Sequence, residues 1–370
     1  MDKRIRFASL LGKNKNLLGA RKVLIYRLGS LGDTVIALPL FHLIQRVFPS
    51  AGIAVLSANV TDSKAISVKS LLDGSGLVHQ YINYQVRLRN LKDIYGLRQR
   101  IRDYNPDVLI YLTEPRGRFS IYRDTAFFYF CGIKCIIGAP LSADKLNNSF
   151  DEANGLYENE TERLARCLSV LGDAHLELME NWSLRLSKEE EHKADNLLKQ
   201  NRAVSKFIVF GLGTKIKSKD WGQSNWQNLI AKLSEKFYDY AVVFIGAKDE
   251  YDYCDSVGRF WKNDKINLCG LTKPREAAAI IKKAAVYIGH DSGSMHLAAA
   301  QGIPIVAIFS SRAKPGIWFP YWSRQNILFN SIKCQGCLLD NCPKDNKCIK
   351  MTTVDKVYLK IEKVLKSTSS

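Results

Sequence analysis

The strongest constraint on the fold comes from residues 288–309, IGHDSGSMHLAAAQGIPIVAIF. An apolar strand ends there in a polar, glycine-containing turn at residues 291–294, and strong helix formers follow. Gly302 and Pro304 end the helix before a second apolar strand at residues 303–309. The pattern predicts free backbone N–H groups at a helix N-terminus, where α/β folds hold phosphate. An ordinary β-α-β unit with a polar turn is equally consistent with it.

Predicted strands and helices alternate in both halves of the chain. The first half predicts strands at residues 22–26, 53–56, 108–112 and 135–138, and helices at 34–47, 88–102 and 161–171. The second half predicts strands at residues 207–210, 241–246, 285–288 and 303–309, and helices at 188–200, 225–236, 275–284 and 354–365. This alternation is typical of α/β domains with parallel, doubly wound sheets.

A length of 370 residues fits two such Rossmann-like domains. The predicted segments are a basic leader at 1–20, an N-terminal acceptor domain at 21–185, an interdomain linker at 186–205, a C-terminal donor domain at 206–350 and a C-terminal helix at 351–370. The two domains are expected to face a cleft, because clefts between domains are preferred ligand sites.

Net charge points to an anionic partner. The formal charge is +18 and the pI is about 9.4. The leader carries Lys3, Arg4, Arg6, Lys13 and Lys15 among leucines, a composition that suits either an anionic membrane surface or a solvated leader. We find no signal-peptide core and no apolar run of membrane-spanning length, so a cytoplasmic protein is expected.

Four of the nine cysteines are clustered. Cys334, Cys337, Cys342 and Cys348 have the spacing of a structural metal site for zinc or iron. Disulfides and reduced thiols stay open as alternatives. The role is expected to be structural, because the cluster lies outside the predicted cleft loops. The other five cysteines are scattered, which is typical of reduced thiols in cores.

Several motifs together resemble glycosyltransferase family 9, the ADP-heptose–lipopolysaccharide heptosyltransferases. They are RLGSLGD at residues 27–33, KDW at 219–221, GAKDE at 246–250 and HDSGSMHLAAA at 290–300. The resemblance extends from about residue 21 to about residue 357. It implies a GT-B fold and inverting, metal-independent sugar transfer from a nucleotide sugar, ADP-heptose, with no cofactor required. The implied acceptor is a lipid-linked inner-core glycan on the cytoplasmic face of the inner membrane.

The resemblance also implies roles for individual residues. Asp33 matches the catalytic base, Lys219 the lysine that neutralises the donor phosphates, and Glu250 an acidic residue near the donor ribose. The predicted donor-binding residues are Gly29, Gly32, Gly213, Thr214, Glu250, Asp291, Ser292, Gly293, Ser294 and His296.

Physical chemistry leaves alternatives at these positions. A carboxylate at a helix start, such as Asp33, suits either a general base or a helix cap. Lys219 is consistent with two roles, neutralising a diphosphate or lying on the surface as an ordinary solvated lysine. The neighbouring Lys215 and Lys217 show how common solvated lysines are in this loop. His296 suits either a phosphate contact or a structural role. No two aspartates form a D-x-D pair, which favours catalysis without a metal.

Two other functions stay open. A nucleotide-sugar epimerase on the same fold needs no acceptor. A non-catalytic nucleotide- or nucleic-acid-binding protein would suit the net charge, but no RNA-binding or helix-turn-helix motif accompanies it, so no nucleic-acid partner is expected.

Overall fold

The computed structural model describes residues 19–59, 66–85, 90–200 and 206–368. The chain divides into two compact units. Unit 1 comprises Met1–Ser149 with Glu160–Arg185, and unit 2 comprises Phe150–Asn159 with Leu186–Ser370. Residues 1–18, which form most of the predicted basic leader, lie outside the described residues.

Unit 1 contains a fully parallel sheet. Its strands are β1 (Lys22–Tyr26), β2 (Gly52–Ala58), β3 (Gln80–Tyr84), β4 (Val108–Tyr111) and β5 (Ile136–Ile137). Their order is β3-β2-β1-β4-β5, and each neighbouring pair is parallel. The winding direction reverses between β1 and β4. Ligands of open α/β sheets bind beyond the carboxyl ends of the strands at such a point.

The helices of unit 1 differ from the predicted ones at a proline. They are α1 (Leu31–Ile36), α2 (Leu38–Val47), α3 (Val68–Leu72), α4 (Leu91–Tyr104), α5 (Arg118–Phe130), α6 (Ala143–Leu146) and α7 (Glu160–Cys167), with 3-10 turns at Ser169–Leu171 and Met179–Trp182. The prediction of one helix at residues 34–47 is wrong, because α1 and α2 meet at Ala37. Pro39 has no N–H to continue the hydrogen-bond ladder of α1.

Helices α4 and α5 pack on the same side of this sheet. Leu97 and Ile101 of α4 share a buried cluster with Ile121 and Phe128 of α5 and with strand residues such as Leu109. Helix α5 was not predicted from the sequence, because its apolar residues occur on all sides and give no helical period.

Unit 2 contains a larger parallel sheet. Its strands are β6 (Phe150–Asp151), β7 (Leu156–Tyr157), β8 (Phe207–Gly211), β9 (Ala241–Phe244), β10 (Lys265–Asn267), β11 (Val286–His290), β12 (Ile305–Phe309) and β13 (Ile327–Phe329). The six strands from β8 onward follow the order β10-β9-β8-β11-β12-β13 with parallel neighbours, while β6 and β7 form a small antiparallel pair. The winding direction reverses between β8 and β11.

Helices cover this sheet, and the first of them occupies most of the residues predicted to form the interdomain linker. They are α8 (Lys188–Gln200), α9 (Gln223–Lys236), α10 (Tyr251–Gly258), α11 (Pro274–Ile281), α12 (Gly293–Ala300), α13 (Lys347–Lys350) and α14 (Val354–Thr368), with 3-10 turns at Lys217–Lys219, Lys248–Glu250 and Arg324–Asn326. Helix α8 packs against α11 within unit 2. Arg275 Nε lies 2.6 Å from Glu190 Oε1, and Lys193 Nζ lies 2.7 Å from Glu276 Oε1.

The core of unit 2 is rich in buried aromatic residues. Trp221, Trp226 and Trp261 are fully buried with Phe210. Trp226 meets both Trp221 and His290 edge-on, at ring-centre distances of 4.8 and 5.1 Å. This cluster therefore supports the carboxyl ends of β8 and β11. Across the described parts of the chain, no helix is both long and apolar enough to cross a membrane.

Candidate functional site

The turn after β1 gives unit 1 its candidate catalytic carboxylate. Gly29 has a φ of 120°, and a Cβ there would lie 2.5 Å from Cβ of Asp33, so the turn requires glycine. Ser30 is the N-cap of α1, and its backbone N–H donates to Asp33 Oδ2 at 2.5 Å. Its hydroxyl donates to the same oxygen at 2.9 Å. Asp33 is thus the third residue of α1, and Gly32 is buried beside it.

This arrangement gives Asp33 a capping role without excluding a second one. Among the described residues, the hydrogen bonds to its carboxylate use Oδ2 and leave Oδ1 for another partner. The carboxylate is partly exposed. A base needs an accessible oxygen and a fixed orientation, and the capping bonds supply the orientation.

Arg27 stabilises this turn by hydrogen bonds to backbone carbonyls. This role was not predicted from the sequence. The buried guanidinium of Arg27 donates from Nη1 to the carbonyl of Leu112 at 2.9 Å and from Nη2 to the carbonyl of Asp33. Burial lowers its pKa, while the carboxylates of Asp33 and Glu160 oppose that shift. Arg27 therefore ties β4 to the start of α1. The available signal was its place as the first residue of the glycine motif.

In unit 2, the loop after β8 brings one lysine to the turn after β11. Lys219 Nζ lies 2.6 Å from Asp291 Oδ2, and the two side chains are only 16% and 9% exposed. Lys215 and Lys217 of the same loop are exposed. The fold thus separates Lys219 from its neighbours, and it gives Asp291 the task of holding the lysine.

The N-terminus of α12 lies at the same turn. Ser292 is its N-cap, and the first backbone N–H groups of a helix have no partner within it. The hydroxyl of Ser294 lies 3.0 Å from that of Ser292 and 2.7 Å from that of Tyr287. Burial raises the pKa of Tyr287 to about 12, which keeps the phenol neutral. Hydroxyls, amides and one ammonium group therefore converge here, as an anion such as a diphosphate requires.

Glu250 connects two further loops of unit 2. Its Oε2 accepts a hydrogen bond from the backbone N–H of Ala247 at 2.9 Å, which closes the turn Lys248–Glu250. A Cβ on Gly213 would lie 2.0 Å from its carboxyl carbon, so the carboxylate lies against the loop after β8. Thr214 turns that loop by accepting a hydrogen bond from the N–H of Ile216 at 3.3 Å. A contact of Glu250 with a ribose stays a prediction.

Two histidines flank the lysine turn. His290 is fully buried, and its Nε2 accepts a hydrogen bond from the backbone N–H of Trp221 at 3.0 Å. Burial lowers the pKa of His290 to about 4, although Asp220, the Leu212 carbonyl and Asp291 favour its charged form. The neutral ring therefore fixes the loop that carries Lys219 to β11. His296 is buried one turn into α12, and its predicted phosphate contact stays a prediction.

The pKa of His290 predicts acid sensitivity. Above about pH 6.5 the His290 ring is neutral in both the folded and the unfolded chain. Between about pH 6.5 and 4, only the unfolded chain binds the proton. The free energy of unfolding should therefore fall by up to about 3 kcal/mol as the pH drops from 6.5 to 4. The His290→Gln variant retains an acceptor for Trp221 and should lack this component. Urea unfolding at several pH values measures the difference between the two proteins, and a difference that does not change with pH would contradict the assignment.

The four clustered cysteines line one small cavity of about 20 Å³. Their thiols are free, with Cys337 exposed and Cys348 buried. Within residues 19–59, 66–85, 90–200 and 206–368, no three His, Cys, Asp or Glu side chains form a group that could hold a metal ion. A zinc or iron ion at these thiols stays a prediction.

The cysteine-rich segment, residues 334–348, nevertheless reaches the lysine loop. Ser218 donates from its N–H to the carbonyl of Asp340 at 3.0 Å, and from its hydroxyl to that of Leu339 at 2.6 Å. Asn346 Nδ2 donates to the carbonyl of Lys217 at 2.8 Å. The segment thus fixes the residues next to Lys219, a role that the sequence analysis did not anticipate.

Comparison with known proteins adds to this geometry. The model of glycosyltransferase family 9 (heptosyltransferase) matches residues 97–348. Lipooligosaccharide heptosyltransferase 2 of Campylobacter jejuni is 27% identical over 161 residues, which cover 41% of this chain and 48% of that relative. The chain thus spans about half the length of this curated relative. The turn with Asp33 precedes the residues matched by the family model.

Two solved structures share the fold. A family 9 glycosyltransferase of Veillonella parvula has a TM-score of 0.71 at 16% identity, covering 94% of this chain and 98% of its own. The ADP-heptose LPS heptosyltransferase II of Escherichia coli has a TM-score of 0.65 at 18% identity, covering 94% of this chain and 100% of its own. The predicted α/β GT-B fold class is confirmed. Because the family match runs from within α4 to within α13, more than half of the residues, the chain belongs to glycosyltransferase family 9 (heptosyltransferase).

Proposed function

We propose that this protein is an inverting, metal-independent glycosyltransferase that moves heptose from ADP-heptose to a lipopolysaccharide inner-core or related lipid-linked glycan. The main support is the placement of Lys219 beside Asp291 at the N-terminus of α12, where a cation and free amides suit a diphosphate. The names of the Escherichia coli and Campylobacter jejuni proteins support this donor and this class of acceptor.

The proposed reaction is a single displacement. Asp33 accepts the proton of an acceptor hydroxyl while the oxygen of that hydroxyl forms a bond to the anomeric carbon. The bond between that carbon and the donor phosphate breaks, and ADP leaves with the electron pair. Attack opposite to the leaving group inverts the anomeric configuration. Lys219 and the first amides of α12 stabilise the negative charge that develops on the diphosphate.

The proposed place of action is the cytoplasmic face of the inner membrane, with peripheral attachment. Support comes from the lipid-linked acceptor class and from the formal charge of +18, which favours an anionic leaflet. The contribution expected of the basic leader falls on residues outside the described ranges and stays a prediction.

Nucleotide binding and turnover test this function together. ADP at 100 times its dissociation constant should stabilise the folded protein by about 2.7 kcal/mol, and UDP should stabilise it less. ADP should be released from ADP-heptose only when an acceptor is present, and a short EDTA treatment should leave the rate unchanged. Selective stabilisation by UDP would change the donor, and conversion of the donor without an acceptor would favour the epimerase. A rate lost in EDTA and restored by Mg²⁺ would contradict the metal-independent mechanism.

A further inference from the structure

Helix α5 presents an uncovered aromatic face. Phe119, Tyr122, Tyr129 and Phe130 are between 57% and 81% exposed. Their spacing places them on one side of the helix, opposite the residues that pack into the core of unit 1. A helix that is apolar on all sides is normally buried on all sides, and contiguous exposed apolar area marks an interaction site.

Helix α4 extends this face. Leu91 and Tyr95 are 84% and 60% exposed, and Arg98 and Arg102 follow them at helical spacing. Arg98 Nε donates to the carbonyl of Phe130 at 3.0 Å, and its guanidinium carbon lies 4.4 Å from the centre of the Phe130 ring. The same guanidinium lies 5.9 Å from the centre of the Tyr95 ring. Arg98 therefore joins the two helices into one surface.

We call this the aromatic–arginine surface. It consists of Leu91, Tyr95, Arg98, Arg102, Phe119, Tyr122, Arg123, Tyr129 and Phe130. Its charged members are three arginines, and none of its members is acidic. Asp124, which pairs with Arg123 at 2.7 Å, is buried beneath the surface.

This composition selects among partners. A second copy of the same surface would bring four arginines together, Arg98 and Arg102 from each copy, with no carboxylate on either surface to pair with them, which electrostatic repulsion opposes. An anionic bilayer, by contrast, can interact favourably with both the aromatic rings and the arginines of this surface. Tyrosine and phenylalanine rings insert at the level of the lipid headgroups, while arginines bind lipid phosphates and keep their stems on the apolar side.

We propose that the aromatic–arginine surface docks this protein onto an anionic phospholipid bilayer. The proposal rests on the proposed function insofar as that function supplies a lipid-linked acceptor. Helix α5 follows β4 closely and so begins near the carboxyl edge of the sheet, where ligands bind at the reversal of strand order. Its 13 residues extend about 20 Å away from that edge. Docking along α5 therefore holds the ligand-binding edge of unit 1 at the headgroups.

Vesicle binding by the full-length protein, without donor or acceptor, tests the proposal. The probes are vesicles of phosphatidylethanolamine with phosphatidylglycerol, and vesicles of phosphatidylcholine alone. The F119S/Y129S variant should bind the anionic vesicles at least tenfold more weakly. The R98Q/R102Q variant should lose about tenfold or more on the anionic vesicles and show a weaker salt dependence. Tyr238→Ser, a single substitution of the same kind at a 71% exposed tyrosine of unit 2, should bind as the unaltered protein does.

The outcomes separate this proposal from the proposed function. All variants retain the same leader, so differences between them report on the surface alone. Equal binding by all the proteins overturns the docking proposal. The proposal is also overturned if the F119S/Y129S variant keeps its vesicle binding and differs from the unaltered protein only in being a monomer instead of an oligomer. A variant that keeps its vesicle binding and loses only the binding of RNA overturns it in the same way. Because no sugar is transferred in the measurement, weaker vesicle binding by the two surface variants supports docking even if the transferase assay fails.

Discussion

Replacing Asp33 with asparagine is expected to lower turnover by about 100-fold or more while ADP affinity stays within a few-fold. The amide has the size of the carboxylate, and its oxygen can still accept the hydrogen bonds from Ser30 that Oδ2 accepts. It is not a base, so the acceptor hydroxyl keeps its proton. Release of ADP from the nucleotide sugar measures turnover, and calorimetry measures ADP affinity.

Ser30→Ala is the matched control for the capping role. It removes the hydroxyl bond to Asp33 Oδ2 at 2.9 Å but retains the backbone bond and the base. Its expected cost is about 1 kcal/mol of stability, with turnover within tenfold of the unaltered protein. If Asp33→Asn turned over at a nearly normal rate, Asp33 would act only through the start of α1.

Lys219→Ala is expected to lower kcat by roughly 100- to 1,000-fold, the scale for losing a group that stabilises a developing charge. Lys217→Ala removes the same charge from an exposed position of the same loop and should change kcat by less than about threefold. The steady-state rate of ADP release from ADP-heptose at saturating acceptor measures kcat for both variants.

The ion pair with Asp291 calls for a second control. Removing Lys219 leaves an aspartate that is only 9% exposed without its cation, which is itself costly. The Lys219→Ala/Asp291→Asn double variant removes that unpaired charge. If the lysine acts on the diphosphate, the double variant should remain as slow as Lys219→Ala. A recovery to nearly normal turnover would show that the lysine serves only to neutralise Asp291.

The sequence predicted those parts of the fold that have local signals. The local order of residues is enough to predict the apolar runs at β1, β8 and β11 and the glycine-containing turns after them. The resemblance to family 9 is confirmed. The edge strands β3, β10 and β13 were missed, because their side chains are partly exposed and form no continuous apolar run. Edge strands of this kind depend on pairing with a neighbour rather than on their own propensity.

Contacts between distant residues account for the rest of the candidate site. Lys219 and Asp291 are 72 positions apart, and the choice of this lysine over Lys217 depends on how its loop is fixed. His290 holds that loop by accepting from the N–H of Trp221, and the cysteine-rich segment holds it through Ser218 and Lys217. Hydrogen bonds of this kind leave no periodic pattern in a sequence, so only the folded chain reveals them.

The close approach of Gly213 and Glu250 restricts the order in which the two positions can change. Any side chain at residue 213 would begin 2.0 Å from the carboxyl group of Glu250, so this substitution alone forces the glutamate out of its place. A smaller residue at position 250 first frees that space and makes a change at position 213 tolerable. We therefore expect the two residues to be inherited as a pair, with position 213 varying where the glutamate is absent.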